Sequence, residues 1–258
     1  MTTPTAGFTY HFNASVNDDL YENYGDPPTT NPSDGDSVEQ WDNAANTDMF
    51  VFGTATPWRS AGMNGVGCLD FNGSTHNLGL YANDGSTARD LDDMINAGAF
   101  TLVISFIMTA DATNDPDPWA RDPIITEADG YWGLILKTSG GVHTLEAYIY
   151  DSAPRLAPQV ILQDTLYVAQ MRYNGTNLTL SVNNGTEAST ASGSVGAVTG
   201  QPHLAYNGNG KYAAVKIGEL LTYDTALSAS NDAYTYMREK WLNEGGGGSI
   251  IPQIMQQM

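Results

Sequence analysis

The sequence predicts an all-β fold of two packed antiparallel sheets with one short C-terminal helix, and three observations carry that prediction. Charged residues make up only 15% of the 258 residues, against 27 glycines and 12 prolines, a balance typical of turn-rich β proteins rather than helical bundles. Short runs of β-branched and aromatic residues recur between turn signals at the spacing of a sandwich. One segment alone, SASNDAYTYMREKWL, carries a helical period.

Residues 8 to 24 alternate weakly and read as a first strand. The following NYGDPPTTNPSDGDSVEQ has three prolines and repeated Asp-Gly and Gly-Asp pairs, which deny a continuous ladder and predict a long surface loop. From Trp41 to Leu80 the chain is punctuated by Gly53, Gly62, Gly65, Gly67, Gly73 and Gly79, so brief strands are expected, with FVFG and CLDF among them. FTLVISFIM has no glycine or proline and is apolar on nearly both faces, the mark of a central strand. Strands are then expected in YWGLILK, HTLEAYIY, DTLYVAQMRY, NLTLSVNN, HLAY and YAAVKIGELLTY. The pairs Asn174–Gly175 and Asn184–Gly185 predict tight hairpin turns.

In the helical segment Tyr234, Met237 and Trp241 share a face. Ser228 or Ser230 is expected to cap its start, Asp232 suits its positive end, and Arg238 and Lys240 suit its negative end. Gly245 is expected to end it. GGGGS then reads as a flexible tether before the uncharged IIPQIMQQM. The organisation expected is one domain over 1–244 and a linker with an apolar docking peptide over 245–258, in which Ile250, Ile251, Ile254 and Met255 meet another protein.

A formal charge of −19 repels phosphate backbones and anionic lipid heads, which excludes nucleic acid and membrane surfaces as partners. No run approaches the roughly 20 apolar residues of a membrane span. The single Cys68 has no intramolecular bridge partner, and no Cys/His cluster has zinc spacing. MTTPTAGFTYHFNASVNDDL has neither a basic leader nor an apolar run, so the expectation is synthesis in a cytoplasm without classical secretion.

Glu127 and Asp129 stand two apart, as paired glycosidase carboxylates on one strand would. Position 131 is Tyr where a third carboxylate would fall, and Gly130 suggests a turn, so a solvated hairpin end is favoured and no catalytic residue is expected. No G-x-S-x-G occurs, and His11, His76, His143 and His203 are scattered singly, as structural histidines are. Asp111, Asp115 and Asp117 are oxygen donors that suit calcium, as are Asp70 and Asn72. Neither set matches an EF-hand loop, and plain loop solubility is the favoured reading. For a sugar, the inventory of aromatic platform and planar polar groups is concentrated in Asp117, Trp119, Arg121 and Asp122; a tryptophan folded back on the core is the competing reading. The sequons at Asn72, Asn174 and Asn184 read as turn chemistry.

SVEQWDNAANTDMF followed by TPWRSAGMNGVGCLDFNGSTHNLGL resembles the opening of concanavalin A-like lectin/glucanase domains of the laminin-G-like type, with Trp41, Asn46, Asn64, Gly65, Leu69, Phe71, Asn72 and Gly73 at the matching places. LYVAQMRYNGTNLTLSVNNGTEA is similar to that family's late hairpin, with Asn184 and Gly185 at its turn. KIGELLTYDTALSASNDAYTYMREKWL is similar to its ending, through Gly218, Glu219, Tyr223, Leu227, Ser228, Lys240 and Trp241. The resemblance covers about residues 38 to 242, least in the middle. It implies a jelly-roll sandwich and a tendency to bind carbohydrate or protein, without fixing one activity.

Three functional readings follow from these features. The one expected is a non-enzymatic virion component, a capsid decoration or a tail or fibre appendage of a bacteriophage. It would be attached to other virion proteins through the C-terminal peptide, homo-oligomeric on the particle, and able to bind a host-surface glycan for adsorption. A bacterial carbohydrate-binding module is the alternative, and a glycoside hydrolase comes third. No cofactor is expected beyond calcium in the loops named above.

Overall fold

The computed structural model describes residues 9–22, 30–44, 48–82, 86–95, 98–113, 121–127, 132–150, 154–183, 185–192, 195 and 200–243. In chain order the elements are β1 (Tyr10–Asn13), β2 (Leu20–Tyr21), β3 (Ser37–Asp42), β4 (Met49–Met63), β5 (Val66–Asn72), β6 (Asn77–Tyr81), a helical turn α1 (Leu91–Met94), β7 (Phe100–Met108) and β8 (Asp122–Glu127). They continue with β9 (Trp132–Ser139), β10 (Val142–Tyr150), β11 (Pro154–Ile161), β12 (Leu166–Tyr173), β13 (Asn177–Val182), β14 (Ala188–Ala191), β15 (Pro202–Leu204), β16 (Ala214–Tyr223) and α2 (Asp232–Leu242). All named strand pairs are antiparallel.

The first sheet runs β14-β13-β12-β7-β16-β5, and β1 shares with β5 the same edge of β16. The second runs β11-β10-β9-β8-β15-β6-β4-β3-β2. β4 belongs to both: its first residues pair with β6, and Trp58, Arg59 and Met63 pair with β5. Register shifts between Phe52 and Thr54 and between Arg59 and Met63 let this 15-residue strand turn the corner.

The main core lies between the sheets, where Phe12, Trp41 and Phe50 meet at one end and Phe100, Trp132 and Tyr173 at the other. A second apolar cluster joins the outer face of the first sheet to α2, through Val103, Val168 and Leu221 under Tyr234, Met237 and Trp241. The double-sided apolarity of FTLVISFIM follows: Leu102, Ile104 and Phe106 fill the main core while Val103 lies under the helix.

The helix buries the expected face, with Tyr234, Met237 and Trp241 inward, and both of its ends differ from expectation. The N-cap is Asn231, whose side chain accepts from the Tyr234 amide at 2.9 Å, not Ser228 or Ser230. The helix stops at Asn243, in the left-handed region with φ 56°, two residues before the expected Gly245. Residues 37–40, expected as the end of the surface loop, instead open β3, and β14 was not among the expected strands; nor were two others, β8 and β11. Both contain proline, and β11, with Pro154 and Pro158, is the edge strand of its sheet, where a missing N–H is tolerated. The apolar peptide with Ile250, Ile251, Ile254 and Met255 lies outside the described residues. No described helix is long and apolar enough to cross a membrane.

Candidate functional site

Register places several connections at one end of the sandwich. β5 finishes at Asn72 opposite Ala214, where β16 starts, and β7 finishes at Met108 opposite Val215. In the second sheet β15 finishes at Leu204 beside Ile125, just inside the start of β8, and the turn from Ser139 to Val142 joins β9 to β10. Residues 72–77, 109–113, 121–122, 139–142, 162–165 and 205–213 therefore form one rim. Backbone and side-chain bonds tie them together: Asp164 N donates to Met108 O at 2.9 Å, Gln163 Nε2 to Thr109 O at 3.1 Å, and Ala205 N to Ile124 O at 2.9 Å.

The β15–β16 connection carries a cluster of half-buried rings on this rim. Tyr206 and Tyr212 face each other across an antiparallel bridge, their ring centroids 4.9 Å apart and 30° from parallel. His203 meets Tyr206 edge-on at 5.4 Å. The turn between the tyrosines is built by Asn207, whose Oδ1 accepts from the amides of Asn209 at 2.9 Å and Lys211 at 3.2 Å, with Gly208 and Gly210 both at positive φ. Burial pushes the His203 pKa down, which keeps its ring neutral. Its Nδ1 lies 3.2 Å from the Leu78 carbonyl, which can only accept, so Nδ1 carries the proton and Nε2 remains an acceptor.

Asp122 and Arg121 stand beside this cluster, and both are bound inward. Asp122 accepts from Thr113 N at 3.0 Å and Thr113 Oγ1 at 2.8 Å; burial raises its carboxyl above the ordinary range, against the lowering pull of those bonds and of Lys211. Arg121 is 3% exposed and its guanidinium is ion-paired with Glu146, itself 6% exposed. Of the other predicted sugar contacts, Asp117 and Trp119 lie outside the described residues. Asp111 is exposed and 3.9 Å from His143, while Asp115 and Asp117 lie outside the described residues; among those described, no three His, Cys, Asp or Glu side chains converge as metal ligands. Glu127 ends β8 opposite Pro202, and Asp129 is outside the described residues. Asn72 and Asn174 do build turns, accepting from Ser74 N at 2.9 Å and from Asn177 N at 2.8 Å. Burial pushes the Cys68 thiol up to about 12, so it stays protonated.

A second polar centre had no counterpart in the sequence reading. Glu219, 0% exposed on β16, faces α2. His11 Nε2 and Lys240 Nζ each lie 2.7 Å from its carboxylate, Trp241 Nε1 donates at 2.9 Å and Tyr236 OH at 3.1 Å. Burial alone would push this carboxyl up; the His11 hydrogen bond and the Lys240 charge outweigh it and hold the pKa below its ordinary value. The cluster joins β1, β16 and α2, and with every described donor turned onto one carboxylate it works as a clasp.

No family model matches the chain, and no curated protein matches it. Solved structures do. Domain 4 of AbnA, a GH43 extracellular arabinanase from Geobacillus stearothermophilus, in complex with arabinotriose, is similar with a TM-score of 0.61 and 12% identity, over 90% of this chain and 98% of that one. Trypanosoma rangeli sialidase in complex with sialic acid is similar with a TM-score of 0.57 and 14% identity, over 93% of this chain and 34% of that one. The same sialidase in complex with a difluoro-KDN compound gives 0.57 and 12%, over 92% and 33%. The chain thus spans about a third of the sialidase. At these identities the likeness shows the fold, an antiparallel β-sandwich.

Proposed function

We propose that the chain is a non-enzymatic carbohydrate-binding sandwich that takes its glycan at the rim around Tyr206 and Tyr212. The observation that carries this reading is the ring cluster itself. Two half-buried tyrosines on a turn, with the polar edge of His203 beside them, supply an apolar platform for the C–H face of a sugar and acceptors and donors for its hydroxyls. The resemblance in fold to an arabinanase domain solved with arabinotriose, over nearly the whole of both chains, supports it.

A binding role rather than hydrolysis is supported by the state of the carboxylates. Asp122 is engaged by Thr113 and Glu146 by Arg121, whereas a glycosidase keeps one carboxyl group on each side of the scissile bond. We further propose that the domain is displayed on a virion, as a capsid decoration or a tail or fibre appendage, with 245–258 attaching it to other virion proteins. That part rests on composition, a glycine run followed by an uncharged apolar peptide. The arabinanase likeness favours a second reading, an accessory module of a bacterial glycan-degrading system; co-purification of the chain with a particle or with a hydrolase decides between the two.

Binding is tested by glycan array with Tyr206→Ala and Tyr212→Ala. Each should weaken binding by about 1–3 kcal/mol, the range for a base stacked on an aromatic side chain and used here as a guide. Full binding by both folded variants would remove the site from this rim, and turnover of any array glycan would overturn the non-enzymatic reading.

A further inference from the structure

We propose that Asp19, Gln40 and Asp42 hold a calcium ion on the outer face of the second sheet, apart from the acids at 111–117 and from Asp70 and Asn72. The register brings the three together. Leu20 pairs with Trp41 and Tyr21 with Gln40, which sets Asp19 directly opposite Asp42, and the Asp42 amide donates to the Asp19 carbonyl at 2.8 Å. Leu20 and Trp41 fill the main core, so by alternation Asp19, Tyr21, Gln40 and Asp42 lie on the other face. The place is far from the tyrosine rim. Asp42 pairs with Met49 and Met49 with Tyr81, whereas the rim borders the opposite end of β6, at Asn77.

Carboxylates directly opposed across a ladder repel, and like charges in that position destabilise the strand pair. Among the described residues no Lys or Arg is ion-paired with either of them; Arg59, Arg89, Arg121, Arg172 and Lys240 are committed to other acids. His11 is a basic group whose charge reaches Asp19, and its ring is held by Glu219. Burial raises both carboxyls above the ordinary range, and the Asp42 charge adds to the rise at Asp19.

An acidic pair alone could settle by sharing a proton, and the amide beside it points instead to a ligand. Gln40 is 1% exposed, and its Nε2 donates to Asp42 Oδ1 at 2.6 Å, which lays the amide against that carboxylate. Its Oε1 is buried there with no donor among the described residues. A buried amide oxygen left without a donor is costly, and a cation bound between the acids satisfies it. Calcium takes about six to eight oxygens from carboxylates, amides, carbonyls and water, whereas zinc prefers the nitrogen and sulfur ligands that this trio lacks. Asp19 and Asp42 are half-buried, so water reaches the remaining positions. An ion held by both acids fastens β2, a strand of two residues at the edge of its sheet.

The test uses the full chain, stripped with EDTA and dialysed, with CaCl2 compared with MgCl2 at equal ionic strength. Calorimetry should count one calcium per chain. The Tm should rise by about 5–11 °C at a hundredfold excess over the dissociation constant, and by less in magnesium. Terbium should report the same site by luminescence excited through Tyr21, whose hydroxyl is raised by burial and by the charges of Asp42 and Asp19. Gln40→Glu should bind calcium about tenfold more tightly, because it adds a charge to the ligand set, and should melt below wild type in EDTA. Asp19→Asn/Asp42→Asn should be at least as stable as wild type in EDTA and should lose the calcium response. If the double variant does not fold, Gln40→Glu and the wild-type titration decide. Equal shifts in calcium and magnesium would reflect screening of the −19 charge and overturn the proposal, as would no shift in either. Calcium binding that survives in the folded double variant, or that Gln40→Glu leaves unchanged, places the ion elsewhere and overturns it too.

Discussion

Replacing Glu219 by Ala should be among the most damaging single changes available to this fold. The substitution deletes a carboxylate that receives four contacts within 3.1 Å, from His11, Lys240, Trp241 and Tyr236. Trp241 is fully buried and does not recover its lost partner from water, and Lys240, 19% exposed, keeps only neutral partners, the Asn13 side-chain oxygen at 3.1 Å and the Tyr236 hydroxyl at 3.3 Å. Breaking a buried ion pair by removing one partner costs about 3–5 kcal/mol, mostly the penalty of stranding the remaining charge. For a domain of this size that corresponds to a fall in Tm of roughly 6–20 °C, at about 2–4 °C per kcal/mol. The assay is thermal and urea unfolding of the wild type, Glu219→Ala, Lys240→Met and the double variant. The double variant should recover part of the loss, because it removes both charges. The pH dependence has a definite sign: the folded carboxyl lies below its unfolded value, so its contribution is complete above the ordinary glutamate range and disappears as the pH falls through the folded pKa. Wild-type stability should decline on acidification more steeply than that of Glu219→Gln. If Glu219→Ala lies within about 1 kcal/mol of wild type, a scale set by exposed pairs, the clasp is decoration and the argument fails.

Gly218→Ala should also destabilise, because an added Cβ would sit 2.2 Å from the Trp241 ring, between the strand and the helix. Overpacking of this kind costs about 1–3 kcal/mol, and a loss of near-ultraviolet dichroism should accompany the lower Tm; an unchanged Tm would show that the helix shifts freely. Arg121→Ala and Glu146→Ala should each cost several kcal/mol, about 3–5 for a buried pair, while Arg121→Met/Glu146→Leu recovers stability and still binds glycan. Loss of glycan binding in that double variant, with its fold intact, would return Arg121 to the ligand.

What the sequence disclosed follows the reach of its signals. Periodicity and turn chemistry are local, so FTLVISFIM, the Asn174–Gly175 turn and the Tyr234, Met237 and Trp241 face were all legible. The closing order of the fold was legible through resemblance. Strand β11 was hidden because proline argues against strands in general, and only the finished sheet shows that this one lies at an edge. Glu219 stands among the residues that carry the resemblance, but its partners were hidden for a different reason. Its first partner is 208 residues away, and a glutamate among apolar neighbours looks the same whether it faces solvent or a lysine. Arg121 was singled out for its chemistry, but its commitment to Glu146 is a tertiary fact. Tyr206 and Tyr212 carried a usable hint, two aromatics across an Asn-Gly-Asn-Gly turn.

The pairing of β1 with β16 has a kinetic meaning. Tyr10 to Asn13 find their partners at Glu219 to Thr222, nearly the full described length away, and contacts this distant close late because a large loop entropy must be overcome first. A chain emerging from the ribosome carries its first strand unmatched until the last one has been made. Once β16 has been made and before its own first strand docks, its free edge is an open slot into which the first strand of a neighbouring chain fits as well. Strand exchange between copies is therefore the misfolding route this topology exposes, and a clasp that gathers His11 and Lys240 onto Glu219 favours whichever copy of the strand arrives first.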